Sequence, residues 1–439
     1  MEPKEILRIK GLRTAFKAEK EWNYVVKGLD LRLEKGRTLG IVGESGSGKS
    51  ITSLSIMGLL PSKGEVHDGK ILFKSAKFGQ LDLLELAPKQ LRQIRGKEIA
   101  MIFQEPMSSL NPVLRCGEQI VEALRLHLKM GKKEAKEKTL ELFEQVKLPR
   151  VSDIFDAYPH ELSGGQLQRV MIAMAISCEP SVLIADEPTT ALDVTVQKDI
   201  LQLLDELQIA KQMSIIFITH DLGVVAEIAD EVLVMRGGNC MEFGPVEEIF
   251  SNPQSPYTQG LLACRPSMDQ LMSRLPTLED YETESFDPNS YKLEPKDIEA
   301  RLAALQDKEP LLRVENLKKH YSLKKKNWFD KEVSWVKAVD EVSFELYPGE
   351  TLGLVGESGC GKTTLGRSIL KLIEPSGGKI IYAGKEIQDK REKELRPLRK
   401  EIQIIFQDPY SSLNPRIQIG KAIQEPMKVH GIGSNDADR

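Results

Sequence analysis

Cysteine is scarce and scattered. Cys116, Cys178, Cys240, Cys264 and Cys360 stand singly along 439 residues, which excludes a disulfide scaffold and the close pairing of a metal site, and suits a reducing cytoplasm. An excess of one charge is also missing. With 61 basic against 65 acidic side chains and a net charge of −4, there is no positive field to gather a phosphate backbone, and no nucleic-acid partner is implied. Long apolar runs are absent: nothing approaches the roughly 18 to 20 residues that cross a bilayer, and the opening MEPKEILRIK has no apolar stretch of signal-peptide length. Any membrane role is therefore peripheral. The length itself points to two domains.

The chain repeats itself. "KGRTLGIVGESGSGKS" is followed by "IAMIFQEPMSSLNP", and much later "PGETLGLVGESGCGKT" is followed by "IQIIFQDPYSSLNP". Lys49 and Lys362 lie 362 − 49 = 313 residues apart, and Gln104 and Gln407 lie 407 − 104 = 303 apart. The first copy thus carries ten extra residues between its motifs, placed around Phe73 to Leu86. Residues 1–265 read as a first domain, and the acidic, proline-bearing 266–310 as a linker with a short helix near Ile298, Leu302 and Leu305. Residues 311–439 read as the front part of a second domain. That copy stops soon after its glutamine motif, and a natural chain continuing beyond Arg439 is the favoured explanation.

"GESGSGKS" fits G-x-x-x-x-G-K-[ST] and follows Leu39-Gly40-Ile41-Val42, an apolar run that reads as a buried strand. Glycines at Gly43, Gly46 and Gly48 let the backbone around Glu44, Ser45 and Ser47 wrap a phosphate, while the following helix presents its positive end. Lys49 reaches the β- and γ-phosphates, and Ser50 offers a hydroxyl to Mg²⁺, a hard cation that prefers oxygen. The second cradle is Gly356, Glu357, Ser358, Gly359, Cys360, Gly361, Lys362 and Thr363, also read as following a strand. Helix end and lysine should lower the Cys360 thiol's pKa, although a small side chain filling a slot is the simpler reading.

A phosphate loop alone does not choose among kinases, GTPases, helicases and transporters. "ELSGGQLQRV" holds Ser163, Gly164, Gly165 and Gln166 ahead of an apolar helix-like stretch through Ile176. Taken alone it is equally a plain helix cap. "SVLIADEPTTALD" is an apolar strand ending in Asp186 and Glu187, and "SIIFITHD" another ending in His220. With these motifs the sequence resembles the ATP-binding-cassette family, whose LSGGQ motif is its most specific mark.

The resemblance implies an α/β fold: a phosphate-loop NTPase with a RecA-like core, an antiparallel β subdomain and a helical subdomain, in two tandem copies, the second incomplete. It implies that Asp186 organises Mg²⁺ through its water shell and that Glu187 polarises the attacking water. His220 becomes the switch histidine, and Gln104 and Gln407 become sensors between Mg²⁺, water and the transport subunit. Ser50, Gln104, Asp186, Thr363 and Gln407 are thus the expected residues around the metal. Asp193 falls in the loop that communicates across a cassette dimer, and Phe16 and Tyr321 are candidates for stacking on adenine. ATP is sandwiched between the cradle of one cassette and the LSGGQ of another, so hydrolysis needs a second cassette from the same or another chain.

"YPHELSGGQLQRV" and "GPVEEIFSNPQSPYTQGLLA" look like the peptide, nickel and glutathione importer group. That resemblance implies a transport-coupled ATPase at the cytoplasmic face of the plasma membrane, with two membrane permease subunits and an extracytoplasmic solute-binding protein as partners. The alternative is a soluble cassette protein acting on ribosomes or DNA. Against it stand the acidic linker and the lack of zinc-ligating cysteines. Single-cassette relatives often carry a cysteine cluster after this tail. Here no cysteine lies from Arg265 to Gly359, so no iron–sulfur cluster is expected.

Overall fold

Short runs with no polar face set the centre of the first half. β3 (Thr38–Val42, TLGIV), β7 (Val182–Asp186, VLIAD) and β8 (Ser214–Ile218, SIIFI) are buried at every position, the pattern of parallel strands covered on both sides. The computed structural model describes all residues except 1, 3, 19–20, 191, 266–270, 282–285, 323–334, 358, 408–411 and 434–439. The chain divides into two units, Met1–Leu293 and Glu294–Arg439.

In the first unit, β1 (Glu5–Ala18), β2 (Glu21–Glu34), β4 (Gly64–Ser75) and β5 (Gly79–Asp82) form an antiparallel sheet ordered β2-β1-β4-β5. β2 alternates buried Leu29, Leu31 and Leu33 with exposed Asp30 and Arg32, so one face is apolar. That face shares a core with Ile71 and Phe73 of β4 and Leu39 and Ile41 of β3. Each such fully buried side chain contributes about 1.5 to 3 kcal/mol.

The second sheet adds β6 (Ile99–Ile102), β9 (Glu231–Arg236) and β10 (Asn239–Pro245), in the order β10-β9-β3-β8-β7-β6. All neighbours pair in parallel except β10, which runs antiparallel to β9. Helices Cys116–Leu128, Lys132–Gln145, Val151–Asp156 and Gly164–Ile176 gather around Ile120, Leu142, Phe143, Phe155 and Ile172. This is the helical subdomain the resemblance implies. After the sheet, helices Val246–Ser251 and Pro256–Ala263 place Ile249 and Tyr257 in a cluster with Val42, Leu222 and Val234. Residues beyond Arg265 continue this packing: a Cβ on Gly260 would stand 2.9 Å from Leu278.

The second unit opens with helix Pro295–Gln306, on the segment expected to be helical. It repeats the antiparallel sheet with β11 (Leu312–Ser322), β12 (Trp335–Leu346), β13 (Gly377–Tyr382) and β14 (Lys385–Glu386), ordered β12-β11-β13-β14 over Val314, Leu317, Leu365 and Ile380.

Two expectations do not hold. The extra residues of the first copy do not all fall between Phe73 and Leu86. Lys10 pairs with Lys70 as the matching Glu315 pairs with Lys379, and 70 − 49 = 21 against 379 − 362 = 17 puts four of them earlier, lengthening β4. Further, the second phosphate loop does not follow a strand. Residues 351–357 join no ladder, and Leu354 and Val355 are 53% and 90% exposed. The reason lies in the sheet order. β3 pairs with β8 and β9, and β7 and β8 stand between it and β6. Among the described residues of the second unit no strand corresponds to these partners, so an identical apolar pattern has nothing to pair with.

Candidate functional site

Four loops converge because four parallel strands end together. β3 runs into the phosphate loop, β6 ends two residues before Gln104, β7 ends at Asp186, and β8 ends two residues before His220. Side chains that do chemistry stand beyond the carboxyl ends of such strands, where an open α/β sheet takes its ligands.

The phosphate loop is fixed by backbone. Gly43, Gly46 and Gly48 adopt φ of 150°, 80° and 102°. A Cβ on Gly43 would stand 2.1 Å from the Met235 carbonyl oxygen, and one on Gly48 2.8 Å from that of Val25. At both positions side chains are excluded by space as well as conformation. Helix Lys49–Met57 follows and closes with Gly58 in the left-handed region. Lys49 is 5% exposed, and its Nζ donates to the carbonyls of Gly43 at 2.7 Å and Glu44 at 2.8 Å, with Ser47 Oγ at 3.4 Å. Burial lowers its pKa, opposed by the charges of Glu187, Asp186 and Glu44. Ser45, Gly46, Ser47, Ser50, Gln104 and Glu187 line the groove beside the loop.

Ser50 Oγ donates to Asp186 Oδ1 at 3.0 Å. Asp186 is 5% exposed, and burial pushes its carboxyl up to about 6, aided by Glu187 and opposed by Ser50 and Lys49. Glu187 leaves β7 with φ 47° and donates its own N–H to the Ile218 carbonyl at 2.9 Å. A non-glycine residue there costs about 1 to 3 kcal/mol, which the surrounding bonds must offset. Gln104 Nε2 donates to Glu187 Oε2 at 3.0 Å, Thr190 Oγ1 donates to the same oxygen at 2.9 Å, and His220 Nδ1 lies 3.3 Å from Oε1. Gln104, Asp186, Glu187, His220, Lys49 and Ser50 are thus brought together.

For a magnesium ion, the donor set fits. A hydroxyl and a buried carboxylate already in contact supply only oxygen and leave room for water, as a small hard cation requires. Among the described residues no cluster of three or more His, Cys, Asp or Glu competes for it.

Ser163 begins helix Gly164–Ile176 as a reciprocal cap: its N–H donates to Gln166 Oε1 at 3.0 Å, and Gln166 N–H donates to Ser163 Oγ at 3.3 Å. Gly165 faces Val196, 2.9 Å from where a Cβ would stand. Asp193 caps helix Val194–Lys211 by accepting from Val196 N–H at 2.9 Å, so the LSGGQ helix and the Asp193 loop pack side by side. Phe16 is half-buried on β1 with its ring over Gly64, 2.8 Å from a Cβ built there. It is not among the residues lining the groove.

The second cradle holds the first one's shape. Gly356, Gly359 and Gly361 have φ of 156°, 81° and 101°, and Lys362 Nζ donates to the Gly356 carbonyl at 2.6 Å and the Glu357 carbonyl at 2.7 Å. Ser358 lies outside the described residues. Cys360 Sγ is exposed, 3.8 Å from Lys362 Nζ, and Thr363 and Gln407 are exposed. Tyr321 is 39% exposed on β11 with Lys319 Nζ 4.9 Å from its ring centre.

Sequence reasoning missed Thr190 and Tyr257. A hydroxyl three residues after Glu187 was a usable local signal for the first. Tyr257, whose hydroxyl meets Glu44, carried none.

A buried lysine on a glycine-walled loop, with a carboxylate pair across the groove, defines a phosphate-loop nucleoside triphosphatase. The family model described as "ABC transporter" matches residues 26–190 and 339–437, and the chain belongs to that family as an ATP-hydrolysing subunit. A second model, "Oligopeptide/dipeptide transporter, C-terminal region", matches residues 241–288. Among curated relatives, the glutathione import ATP-binding protein GsiA of Salmonella choleraesuis (strain SC-B67) is 47% identical over 443 residues, covering 100% of this chain and 69% of its own length. That of Escherichia coli O6:H1 is 49% identical over 429 residues, covering 98% and 68%. Among solved structures, the dimeric MJ0796 bacterial ABC transporter cassette is 27% identical with a TM-score of 0.49, covering 55% of this chain and 99% of its own.

Proposed function

We propose that this chain is the ATP-hydrolysing motor of an importer that takes up short peptides or glutathione-like thiol peptides through separate membrane subunits. The observation that carries the reading is Glu187 beside the Lys49 loop, hydrogen-bonded by Gln104 and with His220 Nδ1 3.3 Å from it, joined to a tail that matches the oligopeptide and dipeptide transporter region. Lys49 binds the β- and γ-phosphates, Glu187 accepts a proton from the attacking water, and His220 and Gln104 hold the Glu187 carboxylate. Ser50, Asp186 and Gln104 would hold a magnesium ion, which would supply neutralisation of phosphate charge; Thr363 and Gln407 are their counterparts in the second cassette. Ser163, Gly164, Gly165 and Gln166 cap the nucleotide of an opposing cassette.

On this reading residues 1–265 form the complete cassette, 266–310 the linker and 311–439 the front part of a second. The partners are two permease subunits, an extracytoplasmic solute-binding protein and a further cassette, and the chain sits on the cytoplasmic face of the plasma membrane. No described helix is long and apolar enough to cross a membrane, which is consistent with peripheral attachment.

The test is uptake of radiolabelled glutathione and of a labelled dipeptide by cells deleted for the gene and complemented with the parent or with Glu187→Gln. Parent-dependent uptake of either solute, lost in the variant, supports the reading. Uptake of both that ignores the gene overturns it.

A further inference from the structure

The segment after the catalytic core reaches back to the phosphate loop. Tyr257, in helix Pro256–Ala263, is 5% exposed, and its ring packs with Val42, the last residue of β3, and with Leu222, two residues after His220. Its hydroxyl leaves this apolar cluster at one point, the Glu44 residue of the loop. The Tyr257 oxygen accepts from the Glu44 N–H at 3.4 Å, and its O–H donates to Glu44 Oε2 at 3.4 Å. The carbonyl of that same Glu44 accepts from Lys49 Nζ at 2.8 Å. One residue of the loop is thus held on one side by the post-core helix and on the other by the ammonium that meets phosphate.

A second contact joins the end of the same segment to the loop that carries His220. Arg265, just past the same helix, lies 3.8 Å from Asp221, the neighbour of His220. Its guanidinium would stand 2.4 Å from a Cβ on Gly223, so it fits closely against the turn that follows His220. Asp221 caps helix Leu222–Ile228 by accepting from Gly223 N–H at 2.7 Å. The two loops that flank the site, one binding and one sensing phosphate, are therefore each touched by the stretch 246–265.

A tyrosine that only filled the core would need no partner for its hydroxyl beyond some nearby carbonyl. This one meets both the N–H and the carboxylate of a single exposed loop residue. We propose that Tyr257 is a positioning residue for the first phosphate loop, holding the Glu44 peptide and through it Lys49, so that nucleotide occupancy and docking of residues 246–265 are linked. Linkage is reciprocal: what the docked helix contributes to nucleotide affinity, bound nucleotide returns as protection of the helix. The post-core segment then senses whether the site is loaded.

The experiment uses the full chain carrying Lys362→Ala, so that the second cradle adds no nucleotide signal. Hydrogen–deuterium exchange of amides in 246–265 is followed with and without Mg-ATP, alongside the Kd of a fluorescent ATP analogue. In this parent, nucleotide slows exchange in the segment. Tyr257→Phe keeps the ring and the core, weakens the Kd by about threefold to tenfold for the lost hydrogen bonds, and abolishes the nucleotide-dependent protection. Glu44→Ala leaves the cluster and the peptide N–H bond to Tyr257 in place and removes only the carboxylate bond, so it lowers the nucleotide-dependent protection in part. Parent-like Kd and protection in Tyr257→Phe overturn the proposal. Should that variant lose helical content, the protection in Glu44→Ala decides, and parent-like protection there overturns it.

Discussion

Gln104 donates its side-chain amide to one oxygen of Glu187 at 3.0 Å while His220 Nδ1 stands 3.3 Å from the other. Thr190 Oγ1 donates to the same oxygen as Gln104, at 2.9 Å, so two donors hold one edge of the carboxylate and the other edge faces His220. Glu187→Gln keeps the shape and removes the basicity. It should bind Mg-ATP with parent-like affinity yet turn it over about 10²- to 10⁴-fold more slowly. Steady-state ATPase rates set beside nucleotide titrations check this; a rate within a factor of a few of the parent would exclude Glu187 as the base.

Asp186 yields a prediction about pH. Its carboxyl is raised to about 6 from 3.8, with burial as the largest cause, so the folded chain holds this proton more tightly than the unfolded chain does. The stability it contributes is fully present below about 3.8 and is lost as the pH rises through 6. At pH 8 the ionised group therefore costs stability, by at most about 3 kcal/mol. Asp186→Asn keeps an acceptor for Ser50 and removes that cost. Without nucleotide, its urea midpoint should exceed the parent's at pH 8 and approach it near pH 4, although ATPase activity is lost. A midpoint below the parent's at pH 8 would show that the charge is not a burden.

The phosphate loop separates two reasons for glycine. At Gly48 a Cβ meets the Val25 carbonyl oxygen at 2.8 Å, and φ is 102°. At Gly46 φ is 80° and nothing lies within 4 Å. Gly46→Ala should thus cost only the left-handed conformation, on the order of 1 to 2 kcal/mol. Gly48→Ala must also displace the β2 backbone, and it should lose ATP binding outright while Gly46→Ala weakens it. Equal Kd values for the two would contradict the steric account.

Much of the site was legible because its parts are contiguous in sequence. The runs ending at Val42, Asp186 and Ile218 announce buried strands, and the residues that do chemistry follow each within a few positions. What escaped depends on distant partners. The 47° φ of Glu187 is held by a bond to Ile218, and Tyr257 reaches Glu44 across 213 residues. No local pattern encodes either. The early part of the insertion was likewise hidden, since only the pairing of β1 with β4 locates it. TLGIV and TLGLV look alike, yet only the first is a strand here, because a parallel strand exists through its neighbours.

That last contrast predicts where proteases enter. In the first unit β3 is buried at all five positions between β8 and β9. In the second, Val355 is 90% and Ile405 99% exposed, in stretches without ladder bonds. Cleavage follows the free energy of local opening, which approaches zero for backbone outside a ladder and the global value for a central strand. Thermolysin, which cuts beside apolar residues, should therefore cleave within 351–357 and 402–407 at least about tenfold faster than within Thr38–Val42. A fragment spanning most of Met1–Leu293 should outlast the rest. Mass spectrometry of the early digest checks this, and cuts inside β3 appearing as early as those beside Val355 would mean that the two apolar runs are equally protected.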